Sequence, residues 1–399
     1  MNEETIRYSL RNLEHRKGRS FLTVFSILVG IATIFLFISF GLGLYKYTDS
    51  FTTGSSADKV LILAKGAGAP GLSDTIKLTD DDLDVVLKTS GVYGATGLYY
   101  NIVQVEKGNQ IKYTFLTGYD PKIPYMLDIA QVGAEKGRVL RDGDQGVVLG
   151  YNYLIPGKIF DKAFDLNEGI EVNEEKLKII GFLEAVGNPA DDSQMYITND
   201  KFLDIFPDED SYAQMVARVD IGDIDRTVEN IEKNLRKERD LEKGKEDFYV
   251  QSFEDLIESF SGALDVIVGF VILIALISVL VSAVNTANTM VTSVLERYKE
   301  IGILKSIGAK NSEILSIFLF ESAFLGLVSG ILGVLLGWGM AALAERILTT
   351  LGYGFLQPFY SSWLFIGLIT FAVITGAVSG MFPAIRASKI NTVDALRYE

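Results

Sequence analysis

Four long apolar runs constrain this chain of 399 residues more than any other feature in it. A helix needs roughly 20 apolar residues to cross a hydrocarbon core of about 30 Å. Residues 21–44, 262–292, 314–344 and 363–383 each reach that length. Inside a bilayer every backbone N–H and C=O must be satisfied internally, so isolated runs of this kind cross as helices. The first run exceeds the ~7–15 residues of a signal-peptide core, and no convincing cleavage site follows it, so it reads as an uncleaved anchor. The predicted fold class is an α-helical membrane protein with four transmembrane helices and an α+β extracytoplasmic domain of two lobes inserted between helices 1 and 2.

Lysine and arginine in short flanking segments set the orientation. The amphipathic N-terminal segment, residues 1–20, carries Arg7, Arg11, Arg16, Lys17 and Arg19. Residues 293–313, between the second and third runs, carry Arg297, Lys299, Lys305 and Lys310, and the tail, residues 384–399, carries Arg386, Lys389 and Arg397. The connection at 345–362 has only Arg346. If the four helices alternate, the three basic segments share one side, which is cytoplasmic. A multi-pass protein of the cell membrane with both termini inside is expected, with residues 45–261 outside and membrane lipid as a partner. That outer region holds essentially all of the net charge of −14. An acidic chain excludes nucleic-acid binding, which needs a basic face.

The outer region reads as α+β. Alternating stretches predict strands at 59–65, 99–106, 111–117, 146–149, 170–172, 176–182, 194–198, 215–219 and 247–251, with helices at 79–90 and 223–237. Helix–strand units at both ends enclose a mostly β insert, hence the two lobes. Gly66, Gly68 and Gly71 follow a strand and spell the dinucleotide fingerprint, in which the last glycine opens a helix onto a pyrophosphate. Here Pro70 and the extended-looking 72–78 intervene, so a loop is expected. No P-loop motif occurs in the chain. It has no cysteine and one histidine, His15, which removes thiolate sites, most zinc chemistry and any Ser-His-Asp arrangement in the outer region. No catalytic residue and no metal site are expected.

Ser252, with Asp255 three positions on, predicts a helix start. Phe253, Leu256, Ile257, Phe260, Leu264 and Ile267 then recur at helical spacing into the second run. One helix from 252 to about 292 would be ~60 Å long, about twice the membrane thickness, so its surplus would form an external stalk. The alternative is two helices broken at Gly262.

The segment 295–310 predicts a short amphipathic helix with Ile301, Leu304 and Ile307 on one side and Glu296, Lys299 and Glu300 on another. Gly308 stands where a left-handed stop belongs, and Asn311 or Ser312 can cap the next helix. Such a helix suits docking into a groove of a cytoplasmic partner, or lying on the membrane surface as a plain connector. Within the bilayer, Glu321 is costly unless paired, and Asn285 or a nearby hydroxyl is its expected partner, with Asn288 at comparable depth. Gly326/Gly330 and Gly333/Gly337 are small-x-x-x-small pairs for close helix packing.

The segment 285–337 resembles the FtsX-like permease domain of ABC transporters through Glu296, Arg297, Glu300, Ile301, Gly302, Ile307, Gly308 and Ala309, followed by Glu321, Gly326, Gly330, Gly333 and Gly337. Arg19, Ser20, Leu22 and Thr23 resemble its entry into the first helix, and Pro383, Ala384, Arg386, Ala387, Ala395, Leu396 and Arg397 its tail. Thr392 departs from the proline usual there. The outer region is similar to the MacB-like core domain at 118–121, 137–140 and 148–150. The resemblance implies that 296–309, including Lys299, Leu304 and Lys305, is a coupling helix on a separate cytoplasmic ABC ATPase dimer. ATP and Mg²⁺ would be bound by that partner, and this chain would carry no cofactor. It also implies a second permease copy, identical or different. The expected function is mechanotransmission from the ATPase to the outer domain, for export or extraction of a peptide, lipid, lipoprotein or drug. The alternative is an FtsX-type regulator of an external hydrolase.

Overall fold

A computed structural model describes residues 17–52, 56–65 and 76–397. The N-terminal segment before Lys17 and the glycines at 66, 68 and 71 lie outside the described residues. The chain forms two compact units, one of Met1–Leu44, Ala263–Ile347 and Gln357–Glu399, the other of Tyr45–Gly262 and Leu348–Leu356.

After helix α1 (Lys17–Thr52), the mixed unit contains β1 (Lys59–Ala64), α2 (Asp80–Leu87), β2 (Val92–Lys107), β3 (Gln110–Tyr119), α3 (Tyr125–Ala130), β4 (Ala134–Gly137), β5 (Val147–Leu149), β6 (Gly169–Val172), β7 (Glu175–Leu183), β8 (Met195–Thr198), α4 (Asn199–Ile205), β9 (Gln214–Val219), α5 (Ile224–Glu238) and β10 (Phe248–Ser252). The strands follow one hydrogen-bonded path, β10-β1-β9-β2-β3-β8-β5-β7-β4, with β6 against β2 and β7. The 16 residues of β2 hold the path together. Its first half pairs with β9 and its second half with β3. Strand alternation sends Val60 and Ile62 of β1 into one core with Met215, Ala217, Ile231 and Leu235, under α2 and α5. Val103, Val105, Leu116, Ile179 and Phe182 form another core at the far end of β2.

Thr79 opens α2 as expected, its backbone N–H donating to Asp82 Oδ2 at 2.8 Å. Arg239, just past α5, donates to both oxygens of Asp82, at 2.9 and 2.6 Å, and to Asp247 at 2.8 Å. Burial opposes the charge of Asp82, but the Arg239 and Thr79 hydrogen bonds outweigh it and hold this carboxyl below its ordinary range.

The remaining helices are α6 (Phe253–Glu296), α7 (Tyr298–Ser306), α8 (Asn311–Leu351), α9 (Ser362–Ser388) and α10 (Thr392–Arg397). Parts of α1, α6, α8 and α9 are each long and apolar enough to cross a membrane. Ser252 Oγ accepts from Asp255 N–H at 2.9 Å and so caps α6. The helix is unbroken for 44 residues, with no interruption at Gly262 or Gly269, where an added Cβ would meet open space. Four glycines of α8 divide between two neighbours. A Cβ on Gly326 would stand 2.4 Å from the Ala372 carbonyl of α9, and one on Gly330 2.9 Å from Ala372 Cβ. On Gly333 and Gly337 it would meet the carbonyls of Leu28 and Ala32 on α1, at 2.9 Å in each case. Hydroxyls join α1 to α6, with Ser26 and Ser282 at 2.9 Å and Thr23 and Thr289 at 3.2 Å.

Candidate coupling site

The turn after α6 is built around one residue. α6 ends at Glu296 and α7 begins at Tyr298; Arg297 lies between them with φ −107° and ψ 16°, outside helical geometry. Its side chain turns inward. Nη1 donates to Glu321 Oε2 of α8 at 3.1 Å, Nε lies 3.4 Å from Glu300 Oε2, and the guanidinium sits 5.1 Å from the centre of the Phe318 ring. The Arg297 and Glu321 side chains are each only 5% exposed.

The expected partner of Glu321 is Asn285 or a nearby hydroxyl; for Asn285 this is corrected, since Arg297 takes that place. Asn285 and Asn288 are exposed on α6. The reason is electrostatic, because a buried carboxylate is stabilised far more by a guanidinium than by a neutral amide. The break at Arg297 brings that guanidinium to the level of Glu321.

The inner face of α7 is anchored in three ways. Ile301 is buried and Leu304 half-buried, in a cluster with Val294, Ile314, Phe318, Ala384 and Ala387. Gly302 lies against α10, where an added Cβ would stand 2.6 Å from Ala395 Cβ. Lys305 Nζ donates to the carbonyls of Ser388 and Ile390 at 3.0 and 2.7 Å, closing the C-terminus of α9. Gly308 has φ +107° and ends the turn, with half-buried Ala309 donating its N–H to Leu304 at 3.1 Å. The next helix is opened by Glu313, whose carboxylate accepts from Lys310 N–H at 2.9 Å, rather than by Asn311 or Ser312.

Ile307 departs from expectation, being 78% exposed. The Ile307 N–H still bonds to the Ile303 carbonyl at 3.2 Å, and at 3.6 residues per turn this places Ile307 about 40° from Ile303 but about 120° from Ile301, on the outward side. Ile303, absent from the sequence reading, is 49% exposed. It shares the outward side with Ile307, and Glu296, Lys299 and Glu300 are exposed nearby. Thus Arg297, Ile301, Gly302, Leu304 and Lys305 hold α7 in place. Lys299, Glu300 and Ile303 of α7 face outward, flanked by Glu296 at the end of α6 and Ile307 just past α7.

Two family profiles match the chain, the FtsX-like permease C-terminal over residues 272–392 and the MacB-like periplasmic core domain over residues 20–240. The ABC transporter permease MJ1507 of Methanocaldococcus jannaschii is 31% identical over 401 residues, 100% of this chain and 98% of that one. The chain is an ABC transporter permease of the FtsX-like, MacB-like family. The permease YknZ of Bacillus subtilis is 28% identical over 414 residues, 99% of each chain. The macrolide export ATP-binding/permease protein MacB of Neisseria gonorrhoeae is 28% identical over 408 residues, 98% of this permease but 60% of MacB. Among solved structures, the periplasmic region of MacB from Actinobacillus actinomycetemcomitans aligns at TM-score 0.40 with 18% identity, over 51% of this permease and 93% of that chain. The extracellular domain of YknZ aligns at TM-score 0.38 with 14% identity, over 48% and 99%. The FtsX-like match contains Arg297, Glu321, all of α7 and the four packing glycines of α8.

Proposed function

We propose that this permease converts ATP-driven movement of a separate cytoplasmic ATPase dimer into rearrangement of its mixed domain, with α6 as the transmitting rod. In this reading α7 is the cytoplasmic coupling helix, both termini are inside, and the mixed domain is outside with its two ends moving as lobes about β2. A second permease copy completes the assembly. The cargo is a peptide, lipid, lipoprotein or drug taken up outside or from the outer leaflet.

The observation that carries the reading is the joint at Arg297. This one residue ends α6, begins α7 and is held to α8 through Glu321, so a push on α7 passes into two long helices instead of being lost in a flexible loop. Ile303 and Ile307, apolar and exposed, offer a partner groove what it needs.

The test is to break the rod. Proline within a helix removes a hydrogen bond and clashes with the preceding turn, costing about 3 kcal/mol or more. The chain has no cysteine, so a dye on Tyr249→Cys, an exposed position of β10, reports on the mixed domain alone. With the ATPase, ATP and vanadate, the dye signal shifts in the Gly262→Ala protein. In Gly262→Pro the shift is lost while ATP hydrolysis continues. A shift that survives proline at 262 rules out transmission along α6.

A further inference from the structure

The mixed unit contains a cavity of about 220 Å³ whose walls combine three tyrosines, Tyr47, Tyr100 and Tyr196, with three acids, Glu184, Asp191 and Asp192. Among the described residues, no lysine, arginine or histidine lines it. The acids are not loose surface groups. A short helical turn, Asp191–Ser193, presents the two aspartates side by side. Asp192 accepts the backbone N–H groups of Val186 and Gly187 at 2.7 and 3.0 Å. Asp191 accepts the side-chain amides of Asn188 and Gln194 at 2.8 and 3.0 Å. Every one of these donors is neutral. They fix the direction of the carboxylates without cancelling their charge, and each carboxylate oxygen keeps a further lone pair.

Burial raises the carboxyls of both aspartates above the ordinary range, and for Asp192 the charge of Asp191 adds to it. Adjacent like charges in a partly dry cavity are costly unless a cation joins them. The rest of the wall describes that cation. Tyrosine rings attract organic cations through their faces, and Met126, Ile129 and Val132 supply apolar contact for a carbon skeleton. A bare metal ion is a poorer fit, because it needs several converging oxygens, and among the described residues no group of three acids or histidines is disposed to hold one.

We infer that this cavity binds an organic cation, a primary ammonium or guanidinium carried on a short apolar or aromatic body. Its volume suits one group the size of a lysine or arginine side chain. A free amine and a basic side chain of a peptide share this chemistry. The site does not depend on how α6 moves.

Titration calorimetry on the full-length permease in lipid nanodiscs tests it, with phenethylamine against its neutral analogue phenethyl alcohol. Acetylated Gly-Lys-Gly amide against acetylated Gly-Gly-Gly amide separates the peptide source from the free amine. The amine binds and the alcohol does not, and binding of the lysine peptide identifies a basic segment as the natural occupant. Asp191→Asn removes the charge, keeps an acceptor for only one of Asn188 and Gln194, and weakens amine binding by about tenfold or more. Val132→Phe leaves every charge in place, fills the cavity and abolishes binding, so the result stands even if the aspartate variant folds poorly. Equal binding of amine and alcohol would overturn the inference. So would unchanged amine affinity in both variants at unchanged melting temperature, or occupation by Ca²⁺ alone with amines indifferent.

Discussion

At the scale of single residues, the Arg297–Glu321 pair decides what an acid inside a membrane helix is for. A carboxylate placed in an apolar helix is a functional candidate by default. Here it is paired with a guanidinium from the neighbouring turn, and Glu300, the other acid beside Arg297, is 59% exposed and too well solvated to take its place. Removing one partner of a buried pair leaves the other charge stranded, at a cost of about 3–5 kcal/mol, whereas replacing both with apolar groups of similar volume is close to neutral. Glu321→Ala therefore lowers the melting temperature of the detergent-purified permease sharply, and Arg297→Met combined with Glu321→Met recovers most of the loss. A relay carboxylate behaves in the opposite way, with Glu321→Gln stopping turnover while the melting temperature stays at its native value. Glu321 was conspicuous in the sequence because it interrupts an apolar run. Its partner was not, because Arg297 sits in a basic segment where each positive charge reads as an orientation marker.

At the scale of elements, α8 shows how far spacing goes. The repeat Gly326, Gly330, Gly333, Gly337 announces close packing, but not that the first two glycines meet α9 and the last two meet α1. The reciprocal small residues of α9, Gly376 and Gly380, also escaped notice; a Cβ on Gly376 would stand 2.5 Å from the Ser322 carbonyl. Gly326→Ala puts its methyl against backbone that cannot turn aside, so the two helices separate at a cost of about 1–3 kcal/mol. Gly339→Ala on the same helix meets nothing and is neutral or stabilising by up to about 1 kcal/mol. Thermal unfolding of the two variants side by side measures the difference, and equal melting temperatures would remove the packing role of Gly326. In the mixed unit, alternation marked β7, β9 and β10 to within a residue or two. It missed the first half of β2, where Gly94 and Gly97 interrupt the pattern. Those glycines are required because the Tyr125 hydroxyl and the Tyr212 ring lie where side chains would stand. α3 and α4, of 6 and 7 residues, are too short to show a helical period.

At the scale of the whole molecule, α6 is the helix that a single copy leaves most open. Only 11% of its most apolar stretch is inside the protein, against 28% to 44% for the other three membrane helices. Exposed leucine and isoleucine need only lipid, but Asn285 and Asn288 are exposed on the same helix. An amide facing hydrocarbon is unfavourable, and polar side chains in membranes gather at helix–helix contacts. A second copy of this permease set against α6 would cover both the apolar surface and the amides. The absence of native cysteine makes the prediction direct. Asn285→Cys forms a disulfide between copies under mild oxidation in native membranes, while Trp363→Cys, 82% exposed on α9, does not. Asn285→Leu keeps the helix apolar but removes the amide, and shifts the purified permease toward monomer by about 0.5–2 kcal/mol, the range for a polar contact between membrane helices. A chain that stays monomeric with its ATPase bound, and whose Asn285→Cys form never cross-links, would mean that lipid alone covers α6 and that the rod works without a twin.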